Sequence, residues 1–149
     1  MKAKESPEIA ALRRAADGGD AHAQYELGCR YHSGDGVPVD HTAAFSYYSK
    51  AAAQGHNSGL CDTGYCYRHG HGVKRDYAKA FAFYRKAAEQ GCPTGAYWMG
   101  YAFEHGEGVA KDLAQAKHWY EISARRGDSD AAEALRKLTQ PATKKSATD

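Results

Sequence analysis

Cys66, His69 and His71 lie close together in the chain, and a later turn adds His105. Thiolate sulfur and imidazole nitrogen are the donors that hold zinc, but a structural zinc site needs four ligands at closed spacings. Cys66 falls on a helical pattern and the histidines on turns, so they read as solvated turn residues, with no metal ligand and no cofactor. A second candidate is the segment YHSGDGVPVD at residues 31–40. Its glycine pair, valine and acid before an alanine-rich helix resemble the approach to a phosphate. A phosphate-cradling loop needs a strand before it, however, and no strand pattern precedes this one. The segment therefore reads as a turn. No nucleophile elbow, purposeful carboxylate pair or metalloprotease helix is present, so no catalytic residue is assigned and an enzyme is not expected.

The turn recurs. YRHGHGVKRD follows at 67–76 and FEHGEGVAKD at 103–112, a step of 36 residues each time. Residues 21–56, 57–92 and 93–128 thus form three consecutive units without insertion. The register carries Gly28, Gly64 and Gly100; Gly36, Gly72 and Gly108; Asp40, Asp76 and Asp112; Tyr48, Tyr84 and Tyr120; and Gly55, Gly91 and Gly127. Periodicity of this length denotes stacked supersecondary units.

Each unit reads as two helices. Asp40, Asp76 and Asp112 are placed to cap the second helix, and Gly55, Gly91 and Gly127 to end it. The glycines at 34–36 turn the chain sharply, and Val37 plugs the turn into the core. Ala23, Leu27 and Tyr31 fall on one stripe of the first helix; Ala44, Tyr48 and Ala51 or Ala52 fall on one stripe of the second. Gly28, Gly64 and Gly100 sit in mid-helix, where glycine costs about 1 kcal/mol against alanine, so close approach of the paired helix must require them. Residues 6–19 align as a preceding second helix and 129–140 as a following first helix, both reading as caps. Arg136 breaks the glycine register of the last. A flexible N-terminus at 1–5 and a disordered tail at 141–149 complete the expected organisation of a single domain over 6–140.

Twenty basic residues against eighteen acidic ones leave a formal charge of +2, which supports neither nucleic acid nor an anionic membrane as a partner. No apolar segment has the length of a signal core or membrane span. Cys29, Cys61, Cys66 and Cys92 occupy different positions of the repeat, so they read as free thiols in a reducing, cytoplasmic compartment.

The pattern carried by Ala23, Leu27, Gly28, Tyr31, Gly34, Gly36, Val37, Asp40, Ala44, Tyr48, Ala51, Ala52 and Gly55 resembles the Sel1-like repeat, a relative of the tetratricopeptide repeat. The likeness covers residues 6–138. It implies an all-α, right-handed α/α solenoid of 36-residue helix-turn-helix repeats, whose members act mostly as scaffolds or adaptors. First helices line the concave side in related repeats. On a step of ~100° per residue, the residues opposite the packing stripe include Tyr25 and His32, Tyr65 and Arg68, and Tyr97, Tyr101 and Glu104. Together with Trp98, they are the expected contacts for a protein or peptide partner in a tyrosine-rich groove. No small-molecule substrate is expected. Two alternatives follow from the resemblance: an immunity or regulatory protein of a bacterial toxin system, and a β-lactam-binding or hydrolysing enzyme like the cysteine-rich members. Periodic disulfides would mark the last, and none are spelled here.

Overall fold

The computed structural model describes residues 4–140, and the expected tail at 141–149 lies outside them. The described chain forms eight α-helices, each packed on the next in sequence: α1 (Pro7–Asp17), α2 (Ala21–Ser33), α3 (His41–Ala53), α4 (Asn57–His69), α5 (Tyr77–Glu89), α6 (Pro93–His105), α7 (Leu113–Arg125) and α8 (Ser129–Thr139). This is the expected all-α stack of helical hairpins. None of these helices is long and apolar enough to cross a membrane.

Side-chain caps recur along the stack, with α6 as the exception: it opens on Cys92 and Pro93 with no side-chain cap. The carboxylates of Asp40, Asp76 and Asp112 accept from the third backbone N–H of α3, α5 and α7 at 3.0, 3.0 and 3.1 Å. Asp20 and Asp128 do the same for α2 and α8, and the Nδ1 of His56 substitutes for a carboxylate at α4. Each first helix ends on a glycine in the left-handed region: Gly34, Gly70 and Gly106 at φ +77°, +72° and +69°. The turn then closes on itself: the N–H groups of Asp40, Asp76 and Asp112 donate to the carbonyls of Tyr31, Tyr67 and Phe103. Val37, Val73 and Val109 are half-buried beneath it.

Within each hairpin the mid-helix glycine meets a tyrosine of the paired helix. A Cβ at Gly28, Gly64 or Gly100 would lie 2.7, 2.8 or 2.6 Å from a ring carbon of Tyr48, Tyr84 or Tyr120. Those three rings are buried. Two buried hydroxyls are satisfied by backbone carbonyls, one on its own helix and one across the hairpin. Thr63 Oγ1 donates to the Gly59 carbonyl at 2.7 Å, and Ser123 Oγ to the Pro93 carbonyl at 2.7 Å. At α8 the register residue Arg136 is exposed and pairs with Glu133 on its own helix.

Candidate functional site

The residues expected at a partner surface come from α2, α4 and α6, and all are half-buried. The structure gathers all but His32 and Tyr65 into three groups. At the first group, Tyr25 lies against Tyr48 and stacks on His56, with centroids 5.8 and 5.0 Å away. Nearby, Cys61 is buried between repeats, its Sγ 3.7 Å from that of Cys92. All four cysteines are free thiols. The hydrogen bond from Cys61 draws the Cys92 thiol down to about 6 and pushes the Cys61 thiol up.

Asp62 belongs to this first group, although it occupies the register of Glu26 and Trp98, outside the expected face. Burial raises its carboxyl to about 6, offset in part by the Tyr25 hydroxyl, which donates to the carboxylate and lowers it. The folded value exceeds the unfolded value of 3.8, so the ionised carboxylate opposes folding above pH 6 and that penalty fades as pH falls from about 6 towards 4. Asp62→Asn is therefore expected to stabilise the chain at pH 7.5 by about 1–2 kcal/mol, allowing for partial exposure. Equilibrium unfolding at pH 7.5 and pH 4.5 checks this: the gain should be largely lost at the lower pH.

The second group centres on Arg68. Its guanidinium sits 5.0 Å over the ring of Trp98 and 4.7 Å over that of Tyr101, and it pairs with Glu107 of the next turn at 2.8 and 3.2 Å. Arg68 and Glu107 side chains retain only 15% and 20% of their accessible surface, so this pair is a seam between the second and third repeats. Trp98, half-buried, stacks on Tyr84 of α5 at 5.5 Å and packs against the core beneath.

The third group is the open one. Tyr97 and Tyr101 of α6, with Tyr120 of α7, line a groove against α8, which contributes Asp130, Glu133 and Lys137. Its volume is about 310 Å³. Glu104 lines the same groove and accepts a hydrogen bond from the Tyr120 hydroxyl. The wall thus combines three tyrosine rings with three carboxylates and a single lysine.

His32 and Tyr65 stand apart from these groups, beside a cluster that the sequence did not single out. Their rings approach edge-on at 6.2 Å, and His32 also neighbours His41 and His71 at 5.1 and 5.7 Å. Cys66, read as a helix residue apart from the turn histidines, is buried in the core with Ala44 and Tyr48.

With this geometry in view, similarity to known proteins can be stated. The family model described as the Sel1 repeat matches residues 21–56, 58–92 and 93–128. The chain belongs to the Sel1 repeat family. Its Sel1 repeats superpose on the solved structure of c5321, a protective antigen of uropathogenic Escherichia coli with an SLR fold. The TM-score is 0.84 and the identity 38%, over 87% of this chain; the chain spans only 28% of that longer protein. A Sel1 repeat protein from Oxalobacter formigenes is similar over nearly its whole length, with 36% identity, a TM-score of 0.78, and coverage of 89% of this chain and 99% of that one. Cysteine-rich protein B of Helicobacter pylori matches at 27% identity and a TM-score of 0.69, over 89% of this chain and all of its own. No match was found among curated proteins. The molecule is accordingly a Sel1 repeat scaffold, three repeats between two half-repeats.

Proposed function

We propose that this scaffold is non-catalytic and binds a protein or peptide segment along the face of its first helices, with the groove between α6 and α8 as the anchor. The observation that carries this reading is the composition and openness of that groove. Tyr97 and Tyr101, backed by the buried Tyr120, offer flat apolar area with polar tips, which favours anchoring of a partner at low entropic cost. Glu104, Asp130 and Glu133 outnumber Lys137, so the fitting segment carries lysine or arginine beside an apolar residue. Tyr25, His32, Tyr65 and Arg68 extend the same face, and Trp98 supports it from below. The four unbridged thiols support a cytoplasmic setting.

A photo-crosslinking amino acid placed at Tyr101 and, separately, at the exposed Gln115 of α7 tests the assignment in the native host. Partner adducts are expected at position 101 and not at 115, and Tyr65→Ala with Tyr97→Ala should reduce capture while leaving the helical signal intact. Adducts formed at 115 alone would place recognition on the opposite face and overturn the reading.

A further inference from the structure

The 36-residue step brings three positions together at every seam between repeats: one in the last turn of a first helix, one opening the second helix, and one in the following repeat's turn. At the seam of the second and third repeats these are Arg68, Tyr77 and Glu107, where the arginine and the glutamate neutralise one another at 2.8 Å. One repeat earlier the same positions hold His32, His41 and His71. Each histidine offers a ring nitrogen within 4.8 Å of the other two. The Nδ1 atoms of all three are buried and make no hydrogen bond.

We propose that His32, His41 and His71 form a binding site for a divalent transition-metal ion of the zinc type, seated between the first and second repeats. The donor set selects the class: three imidazoles with no carboxylate among them suit zinc, copper or nickel and not magnesium or calcium. Zinc bound by nitrogen at about 2.0–2.1 Å in a tetrahedral arrangement sets its ligands roughly 3.3–3.4 Å apart. The three nitrogens therefore close by at most about 1.5 Å, a movement that ring rotation supplies. His41 and His71 now stack, 4.9 Å apart with planes inclined by 19°, and binding turns them out of that arrangement. The backbone beneath is fixed. The turn bearing His71 lies so close to α3 that a Cβ at Gly72 would fall 2.1 Å from the His41 carbonyl oxygen. His69 is not a competing ligand, because its Nε2 already faces the Arg68 guanidinium at 3.0 Å. Three ligands leave a fourth position open, as in zinc sites that bind water or an incoming group. The ion would join α2, α3 and the α4–α5 turn, replacing the ion pair that holds the next seam.

Titration of the purified, tag-free chain with Co²⁺ as the probe tests this by the visible d–d absorption of tetrahedral cobalt, followed by displacement with Zn²⁺. A saturable one-to-one band that zinc abolishes is expected. His32→Gln and His71→Gln should each weaken binding at least about a hundredfold, beyond the 10–100-fold typical of a lost outer partner, while His56→Gln retains it. Circular dichroism establishes that each variant is folded; should one fail to fold, the other carries the comparison. Absence of a saturable band in the unaltered chain, or retention of binding in a folded His32→Gln or His71→Gln variant, would overturn the proposal.

Discussion

Gly72→Ala is expected to destabilise the chain by about 3–5 kcal/mol, whereas Gly36→Ala, at the same position of the preceding turn, should cost about 1–2 kcal/mol. Both glycines are left-handed, at φ +72° and +77°, so the backbone strain of adding a side chain is common to the two. What differs is the neighbour. A Cβ at Gly72 would stand 2.1 Å from the His41 carbonyl oxygen and 2.8 Å from the Thr42 nitrogen, backbone atoms that cannot move without shifting α3. At Gly36 the nearest atoms are side-chain carbons of Ile9, at 3.1 and 3.2 Å, which need give by only a few tenths of an ångström. Gly108 resembles Gly72, with the Tyr77 carbonyl oxygen at 2.3 Å, and its alanine variant should be comparably unstable. Urea unfolding of the three variants checks the order. If Gly36→Ala proved as damaging as the other two, the cost would lie in φ alone, and the close seating of each turn on the preceding repeat would be refuted.

This contrast marks the boundary of what the sequence discloses. Everything that recurs within one 36-residue unit was legible: the aspartate caps, the terminating glycines, the buried alanine stripe and the need for a small residue at Gly28, Gly64 and Gly100. Each is dictated by local backbone geometry or by one hairpin's packing, and repetition multiplies the signal. The seams between units were not legible, because they join residues 31 or 39 positions apart that have no shared motif. Cys61 is buried beside Cys92, a contact across repeats that no spacing rule singles out. Arg68 pairs with Glu107 across a seam that no motif announces. Trp98 stacks on Tyr84 of the preceding repeat. A search of the repeat register at a separation of 39 would have found Arg68 with Glu107 by opposite charge, and His32 with His71 by identity. The partner face itself was legible only as a helical stripe; the carboxylates of Asp130 and Glu133 that shape its open end come from a half-repeat whose pattern is degenerate.

Gly64→Leu should be the most damaging change within a single hairpin, at about 3 kcal/mol or more, and its cause can be isolated. Leucine is a far better helix former than glycine, by roughly 0.8–1 kcal/mol, so propensity alone predicts stabilisation. Packing opposes it. The first side-chain carbon would meet Tyr84 at 2.8 Å, and Tyr84 is 98% buried, since only 2% of its surface is accessible, so the ring has nowhere to retreat. Truncating that ring should reverse the balance. In a Tyr84→Leu background, itself destabilised by the lost aromatic contacts, Gly64→Ala is expected to be neutral or stabilising by up to about 1 kcal/mol, whereas in the unaltered chain it should cost about 1–2 kcal/mol. The interaction energy from this double-mutant cycle therefore has a defined sign. An alanine penalty that persisted without the tyrosine ring would show that Gly64 is required by something other than the approach of α5 to α4, and the same inference would then fail at Gly28 and Gly100, whose tyrosines stand at equivalent distances.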